Sequence, residues 1–326
     1  MSIQKYKTCW TLSDGHAGMM SQVIGLSEAL GLETIHKVVK RKWPYSWLPT
    51  LWPWGTPTQQ LDEKSDLLTP PWPDVIISSG RRSVALALSI KKQSGGRTYL
   101  IHVQDPLLNP RHLDLVVAPE HDKITGPNVI KTFGALHKVT SQKLEKGRAE
   151  FRNLFVHLER PFYTILLGGS TNRYTMPQEA METLIETLEK ILQDYPGSLL
   201  ITPSYRTPYR DLLKTRLQDH SRVYLADPES FNPYFGMLAL ADAVFVTDDS
   251  VNMMTEACAT GKPVYILPMK RHENTKPIHF ARELIKRGYA KYFTGSIDFW
   301  EYRPFNETAR VAKIIAAQMG LPTIED

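Results

Sequence analysis

Cysteine is scarce. The 326 residues contain two, Cys9 and Cys258, too few and too far apart for a disulfide framework or a thiolate zinc site. Both are expected as reduced thiols. No stretch approaches the roughly 18 continuous apolar residues that a membrane-spanning helix needs. The opening MSIQKYKTCW holds no apolar signal region, which points to a cytoplasmic chain. Short repeats, low-complexity tracts, the G-x-G-x-x-G fingerprint and recognisable nucleic-acid motifs are missing as well. These absences exclude a disulfide-built secreted scaffold and a membrane-spanning protein. They also weigh against nucleic acid as a partner.

Charge is present but unevenly divided. Residues 1–157 hold 20 Lys/Arg and 13 Asp/Glu, a balance of +7, whereas residues 158–326 hold 19 and 21, a balance of −2. A basic first half suits an anionic membrane face or a phosphorylated acceptor. Between 37 and 54 the cations Lys37, Lys40, Arg41 and Lys42 lead into four indoles, Trp43, Trp47, Trp52 and Trp54, and prolines at 44, 49 and 53 rule out a long helix there. Indoles beside cations are the composition of a peripheral contact with anionic lipid. An irregular segment folded over the N-terminal core is the competing reading.

The pattern that organises the chain is AVFVTDDSVNMMTEACATGKPVYILP, residues 243–268. An apolar run ends at Asp248-Asp249-Ser250, an apolar helical segment carries Glu256, Gly261 breaks it, and a second strand begins near Pro263. Strand, polar elbow, helix and strand make a parallel α/β unit, in which ligands bind beyond the carboxyl ends of the strands. Similar units run from the start. Strands are expected over 8–12, 34–39, 74–78, 98–103 and 113–118, then over 162–167, 199–202, 223–225, 243–247 and 264–267. Elbows follow several of them: Ser13 to Gly18, Ser79-Gly80-Arg81-Arg82, Gln104-Asp105-Pro106, Gly168-Gly169-Ser170-Thr171-Asn172, and Pro203-Ser204-Tyr205-Arg206. Residues 132–150 read as a loop and a helix, residues near 160 as an interdomain connection, and Thr175…Gln178 as a capping box opening the next helix.

The expected architecture is α/β, with two doubly wound, Rossmann-like domains facing across a cleft. The first domain is 1–157, joined by the final helix over 306–326, which crosses back to it. The second is 158–305.

The second domain reads as the nucleotide-sugar side. Gly168, Gly169 and Ser170 lack bulk, so their backbone N–H groups could meet a diphosphate, with Asn172 and Arg206 as side-chain donors. Asp248, Asp249 and Ser250 lie at a neighbouring strand end, above the N–H groups of the next helix. Glu256 offers two carboxylate oxygens to the two ribose hydroxyls. Adjacent carboxylates can hold Mg²⁺, but residues next to each other at a strand end point different ways, so no metal or other cofactor is expected. Sugar transfer needs a base for the acceptor hydroxyl. Asp14, His16 and Asp105, at the elbows of the first domain, are the candidates in that order.

These residues resemble a known family. SDGHAGMMSQVIGLSEALG is similar to the start of bacterial proteins related to the plant mitochondrial-fission (elongated mitochondria) proteins, D-G-[K/R]-P-G-H-x-x-Q-x-x-G-L. Asp14, Gly15, Gly18, Gln22, Gly25 and Leu26 fit, while Ala17 stands for the proline and Met19 for the histidine. The later strand-end motifs also resemble the family. Glu256-Ala257-Cys258-Ala259-Thr260-Gly261-Lys262-Pro263 looks like the E-A-x-x-x-G-x-P of GT-B glycosyltransferases, and that resemblance implies Glu256 at the donor ribose.

The implied activity is transfer of a sugar from a nucleoside-diphosphate donor to a lipid-linked or lipopolysaccharide acceptor at the inner face of the cytoplasmic membrane. The alternatives are a nucleotide-sugar epimerase or hydrolase of the same fold, and a non-catalytic adaptor on a membrane surface.

Overall fold

The computed structural model describes residues 6–48, 55–171, 174–269 and 275–322. In chain order the elements are β1 (Thr8–Ser13), α1 (Ala17–Ala29), β2 (Glu33–Val38), α2 (Pro57–Gln60), β3 (Val75–Ser79), α3 (Arg81–Gln93), β4 (Tyr99–Val103), β5 (Leu115–Pro119) and β6 (Val129–Thr132). There follow α4 (Ser141–Phe151), β7 (Phe162–Leu167), α5 (Gln178–Asp194), β8 (Ser198–Pro203), α6 (Arg210–Leu217), β9 (Val223–Leu225), α7 (Tyr234–Leu240), β10 (Ala243–Thr247), α8 (Val251–Cys258), β11 (Val264–Leu267), α9 (Lys276–Lys286), β12 (Lys291–Tyr292) and α10 (Glu307–Met319).

Two compact units emerge, Met1–Lys138 with Asn306–Asp326, and Val139–Phe305. Helix α4 therefore belongs to unit 2, which begins some twenty residues before the division expected at 157. The cause is local. Gly147 of α4 lies so close to α7 that a Cβ there would sit 2.8 Å from the carbonyl carbon of Phe235. A Cβ at Gly236 of α7 would sit 2.5 Å from Cβ of Phe151. Small residues on both helices let the backbones approach, and that packing outweighs the chain continuity of α4 with unit 1.

Unit 1 is a parallel sheet in the order β2-β1-β3-β4-β5-β6. Successive side chains of a strand point to opposite faces, so each strand feeds two cores. Cys9, Val75, Ile77, Ile101 and Leu115 join α1 and α10 on one face. Trp10, Leu12, Ile76, Leu100 and Val116 join α3 on the other. Strands covered on both faces read as continuous apolar runs, as β5 does with LVVAP, whereas the edge strand β2 reads ETIHKV. Helix α10 packs on α1, and Thr308 accepts from the His137 backbone N–H at 2.8 Å, so the last helix returns to unit 1 as the sequence implied. Gly25 makes room on α1: a Cβ there would lie 2.2 Å from the His137 carbonyl oxygen.

Unit 2 is a second parallel sheet, in the order β12-β11-β10-β7-β8-β9. Numbered within the unit this is 6-5-4-1-2-3, the strand order of a dinucleotide-binding fold, whose order reverses between its first and fourth strands, here β7 and β10. Helix α5 carries Met181, Leu184, Ile185, Leu188, Ile191 and Leu192 onto one face of that sheet. Its N-cap is Pro177, without a side-chain cap, so the capping box expected at Thr175 is not formed. A capping box does open α2, between Thr56 and Gln59. The strands β6 and β12 had no sequence counterpart; both are short edge strands, four and two residues long. No helix among the described residues is long and apolar enough to cross a membrane.

Candidate functional site

The switch point of unit 2 gathers most of the predicted donor-side residues. Strand β7 ends at Leu167 and β10 at Thr247, so Gly168-Gly169 and Asp248-Asp249-Ser250 emerge side by side. Asp249 is the hub. Its carboxylate accepts from Thr247 Oγ1 at 2.5 Å, from the Gly169 N–H at 2.9 Å and from Arg206 Nη2 at 3.2 Å, and its side chain is fully buried. A Cβ at Gly168 would sit 1.9 Å from Asp249 Oδ1, and one at Gly169 would sit 2.0 Å from the Arg206 carbonyl oxygen. Both glycines exist so that the Asp249 carboxylate and the turn at 206 can pack against this elbow.

That geometry corrects one expectation. The Gly168 N–H donates to Thr247 Oγ1 at 2.8 Å, the Gly169 N–H to Asp249, and the Ser170 N–H to the Arg206 carbonyl at 3.1 Å. The three amides read as diphosphate donors are thus engaged within the protein. Arg206 Nη1 also donates to the carbonyls of Ser170 at 3.1 Å and Gly169 at 3.4 Å. Its guanidinium nevertheless stays partly exposed, 39% of the side chain, so it can still meet an anion at the rim. Asn172 lies outside the described residues.

Asp248 and Asp249 diverge, as adjacent residues do: Asp248 Oδ1 accepts from the Met269 N–H at 3.2 Å, away from the Asp249 cluster. Ser250 caps α8, its hydroxyl accepting from Met253 N–H at 3.4 Å. The opening turn of this helix, which begins at the elbow, supplies the N–H groups and dipole that favour an anion. Glu256, on the second turn of α8, is 7% exposed, and its Oε2 accepts from the Tyr234 hydroxyl at 2.5 Å. Burial and the Glu256 charge raise the Tyr234 phenol well above its ordinary value, so it stays a donor.

Sequence reasoning missed Tyr234 and the clamp under the elbow. Thr207 Oγ1 donates to the Gly168 carbonyl at 2.6 Å, and Thr207 Oγ1 accepts from the Ser204 N–H at 2.8 Å. The Ser-x-x-Thr spacing was the available signal for the clamp. Beyond β8 and β9 an open groove of about 490 Å³ is lined by Tyr209, Arg210, Lys214, Asp227 and Glu229, and its Arg210–Glu229 pair at 2.8 Å balances its charge.

In unit 1, β1, β3 and β4 end at adjacent positions. Met19 of α1 lies against Gly80, where a Cβ would meet its sulfur at 2.8 Å, and Gln22 of α1 accepts from Gln104 Nε2 at 3.5 Å. The opening of α1 therefore touches the elbows of both β3 and β4. Asp14 Oδ1 accepts from the His16 N–H at 3.2 Å, and the imidazole of His16 lies 3.7 Å from Asp14 Oδ2 with 76% of its side chain exposed. Asp105 Oδ1 accepts from the Leu107 N–H at 2.8 Å. All three candidate bases sit at strand ends of one sheet edge, half-buried or exposed. Of the four tryptophans, Trp43 and Trp47 are 77% and 87% exposed, and Trp52 and Trp54 lie outside the described residues. Arg41 is buried, whereas Lys40 and Lys42 are exposed.

Two parallel six-stranded sheets, both reversing their order and the second doing so where a capped helix opens, define a GT-B-like α/β protein. Its fold matches that of the UDP-GlcNAc 2-epimerase of Methanocaldococcus jannaschii with a TM-score of 0.55 at 14% identity, over 96% of this chain and 99% of that one. The family model described as mitochondrial fission ELM1 matches residues 17–319, and the chain belongs to that family. It is 30% identical over 276 residues to the mitochondrial fission protein ELM1 of Arabidopsis thaliana, a match that takes in 76% of this chain but spans only 64% of the plant protein's length. It is also 27% identical to the uncharacterized protein RP120 of Rickettsia prowazekii, over 94% of this chain and 97% of that one.

Proposed function

We propose that the protein is a glycosyltransferase that moves a sugar from a nucleoside-diphosphate donor to a membrane-associated acceptor, lipopolysaccharide or lipid-linked, at the cytoplasmic membrane face. The observation that carries the reading is the placement of Glu256: buried, held by a hydroxyl, on the helix that opens at the switch point of unit 2. A carboxylate fixed there suits the paired hydroxyls of a ribose, while the opening turn of α8 and the rim guanidinium of Arg206 suit the diphosphate. Gly168, Gly169, Ser170 and Asp249 build that rim, Asp248 and Ser250 fix its neighbours, and no metal is invoked.

In the transfer, the acceptor hydroxyl gives its proton to a base as its oxygen bonds to the sugar's anomeric carbon, and the bond from that carbon to the diphosphate breaks. Asp14 is the first choice of base, with His16 and Asp105 behind it. The exposed Trp43 and Trp47 with Lys40 and Lys42 are the peripheral contact with anionic lipid. Anchoring there would bring a lipid-borne acceptor within reach.

The test is ligand-induced stabilisation. UDP, GDP, CMP and their sugars are screened for a rise in Tm, which a ligand binding only the folded state must cause. One of them is expected to stabilise the wild type by about 2.7 kcal/mol at 100 times its Kd, and Glu256→Ala is expected to abolish most of that. No shift with any nucleotide overturns the proposal. The epimerase likeness favours one other reading, interconversion of the donor's sugar. That reading predicts donor turnover without any acceptor, which a transferase would not give.

A further inference from the structure

Glu256 does not stand alone. Its partner, Tyr234, is the first residue of α7, follows Pro233, and belongs to a helix seated on α4 through glycine contacts at 147 and 236. Phe235 sits between these features, with Lys143 Nζ 5.8 Å from its ring centroid. Gly147 meets the backbone at Phe235 and Gly236, and Gly236 meets the Phe151 ring, so close packing leaves the start of α7 little freedom. The phenol is thereby aimed at Glu256 by elements that lie outside the strand-end edge. A hydroxyl donating to a buried carboxylate oxygen fixes where that oxygen sits.

We infer that Tyr234 is a positioning residue for the nucleotide: it holds Glu256 Oε2 so that the carboxylate meets the ribose hydroxyls in a single orientation. The inference rests on the reading of Glu256 as the ribose acceptor and adds to it the device that makes the acceptor selective for ribose over 2′-deoxyribose. A carboxylate already fixed loses little freedom when the hydroxyls arrive, and it makes the loss of one hydroxyl costly, since its own acceptor capacity is then left unmet. Removing the Tyr234 hydroxyl takes away that hold on Oε2, and the distinction fades.

Calorimetric titration tests this with UDP and 2′-deoxy-UDP, and with GDP and 2′-deoxy-GDP, on the full chain. The wild type is expected to bind the ribonucleotide of one pair about tenfold more tightly than its deoxy counterpart, a difference of roughly 1.4 kcal/mol. Glu256→Gln should remove most of that preference. Tyr234→Phe keeps the ring and should bring the ratio close to that of Glu256→Gln, with affinity for the deoxynucleotide nearly unchanged. The double variant should match Glu256→Gln. A ratio is insensitive to the fraction of protein that folds, so partial misfolding of Tyr234→Phe cannot mimic the result.

A wild-type ratio in Tyr234→Phe, with the ratio lost in Glu256→Gln, overturns the positioning role and leaves the ribose reading intact. No effect of Glu256→Gln on either nucleotide overturns both.

Discussion

The two units manage polarity at their strand ends in opposite ways. In unit 2 the elbow is closed on itself: Asp249 takes three donors, Thr207 grips the Gly168 carbonyl, and the amides of 168–170 are engaged. In unit 1 the elbow side chains are open, with His16 mostly exposed and Asp14 and Asp105 accepting from backbone N–H groups two residues ahead. A closed elbow makes a rigid cradle that is already organised when a ligand arrives, which lowers the cost of binding. An open one leaves a carboxylate free to take a proton. The contrast matches the division of labour proposed above, donor on the rigid edge and acceptor on the open one.

The strongest way to break the contrast is to cut the hub. Asp249→Ala removes the carboxylate that the Gly169 N–H, the Thr247 hydroxyl and Arg206 Nη2 donate to, and is expected to cost about 3 kcal/mol of stability. Asp14→Asn, its counterpart in unit 1, should change stability by less than about 0.5 kcal/mol yet slow turnover roughly a hundredfold. Denaturant titration and an acceptor assay separate the two. Equal stability losses would refute the difference between the elbows, and normal turnover in Asp14→Asn would remove Asp14 as base.

A smaller effect tests the interior of unit 1. His102 on β4 is fully buried, bonded through Nδ1 to Ser78 Oγ at 2.8 Å, with no hydrogen-bond partner at Nε2 among the described residues, and burial pushes its pKa down to about 3. Below about 6.5 the unfolded chain takes up a proton that the folded chain refuses until about pH 3. Stability is therefore lost on acidification through that window, by at most roughly 1.4 kcal/mol per pH unit. His102→Gln should flatten the pH dependence of Tm between about 7 and 5. An unchanged slope would mean that other groups carry the acid sensitivity.

Much of this was legible beforehand. The strands over 162–167, 243–247 and 264–267 are found as expected, because each is an apolar run that stops at Gly, Asp or Pro. The elbows were legible for the same reason. What the elbow amides bond to was not. The acceptor of Gly169 is Asp249, 80 residues away, and local sequence carries no trace of such a pairing. Gly168-Gly169 therefore reads equally as a ligand cradle or as room for a carboxylate. Tyr234 escaped notice because Asn-Pro-Tyr resembles an ordinary helix start, and its role depends on the register of α7 against α8. The unit boundary differs because α4, expected as a helix of the first half, packs on α7 through two glycines that its polar sequence does not advertise.

The smallest effect on stability, and a sharp one on location, is expected from the tryptophans. Replacing Trp43 and Trp47 by Ala should leave Tm within about a degree, since both are exposed. It should nevertheless abolish co-sedimentation with phosphatidylglycerol vesicles. Retained sedimentation would move the membrane contact elsewhere on the protein.

The most direct test of the central claim, that the closed edge of unit 2 grips a nucleoside diphosphate sugar, is hydrogen exchange read by mass spectrometry with and without UDP-GlcNAc or GDP-mannose. Protection is predicted over 204–207 and 247–256, with the sheet of unit 1 unaffected. Exchange unchanged at 247–256 under conditions where the ligand is bound would contradict it.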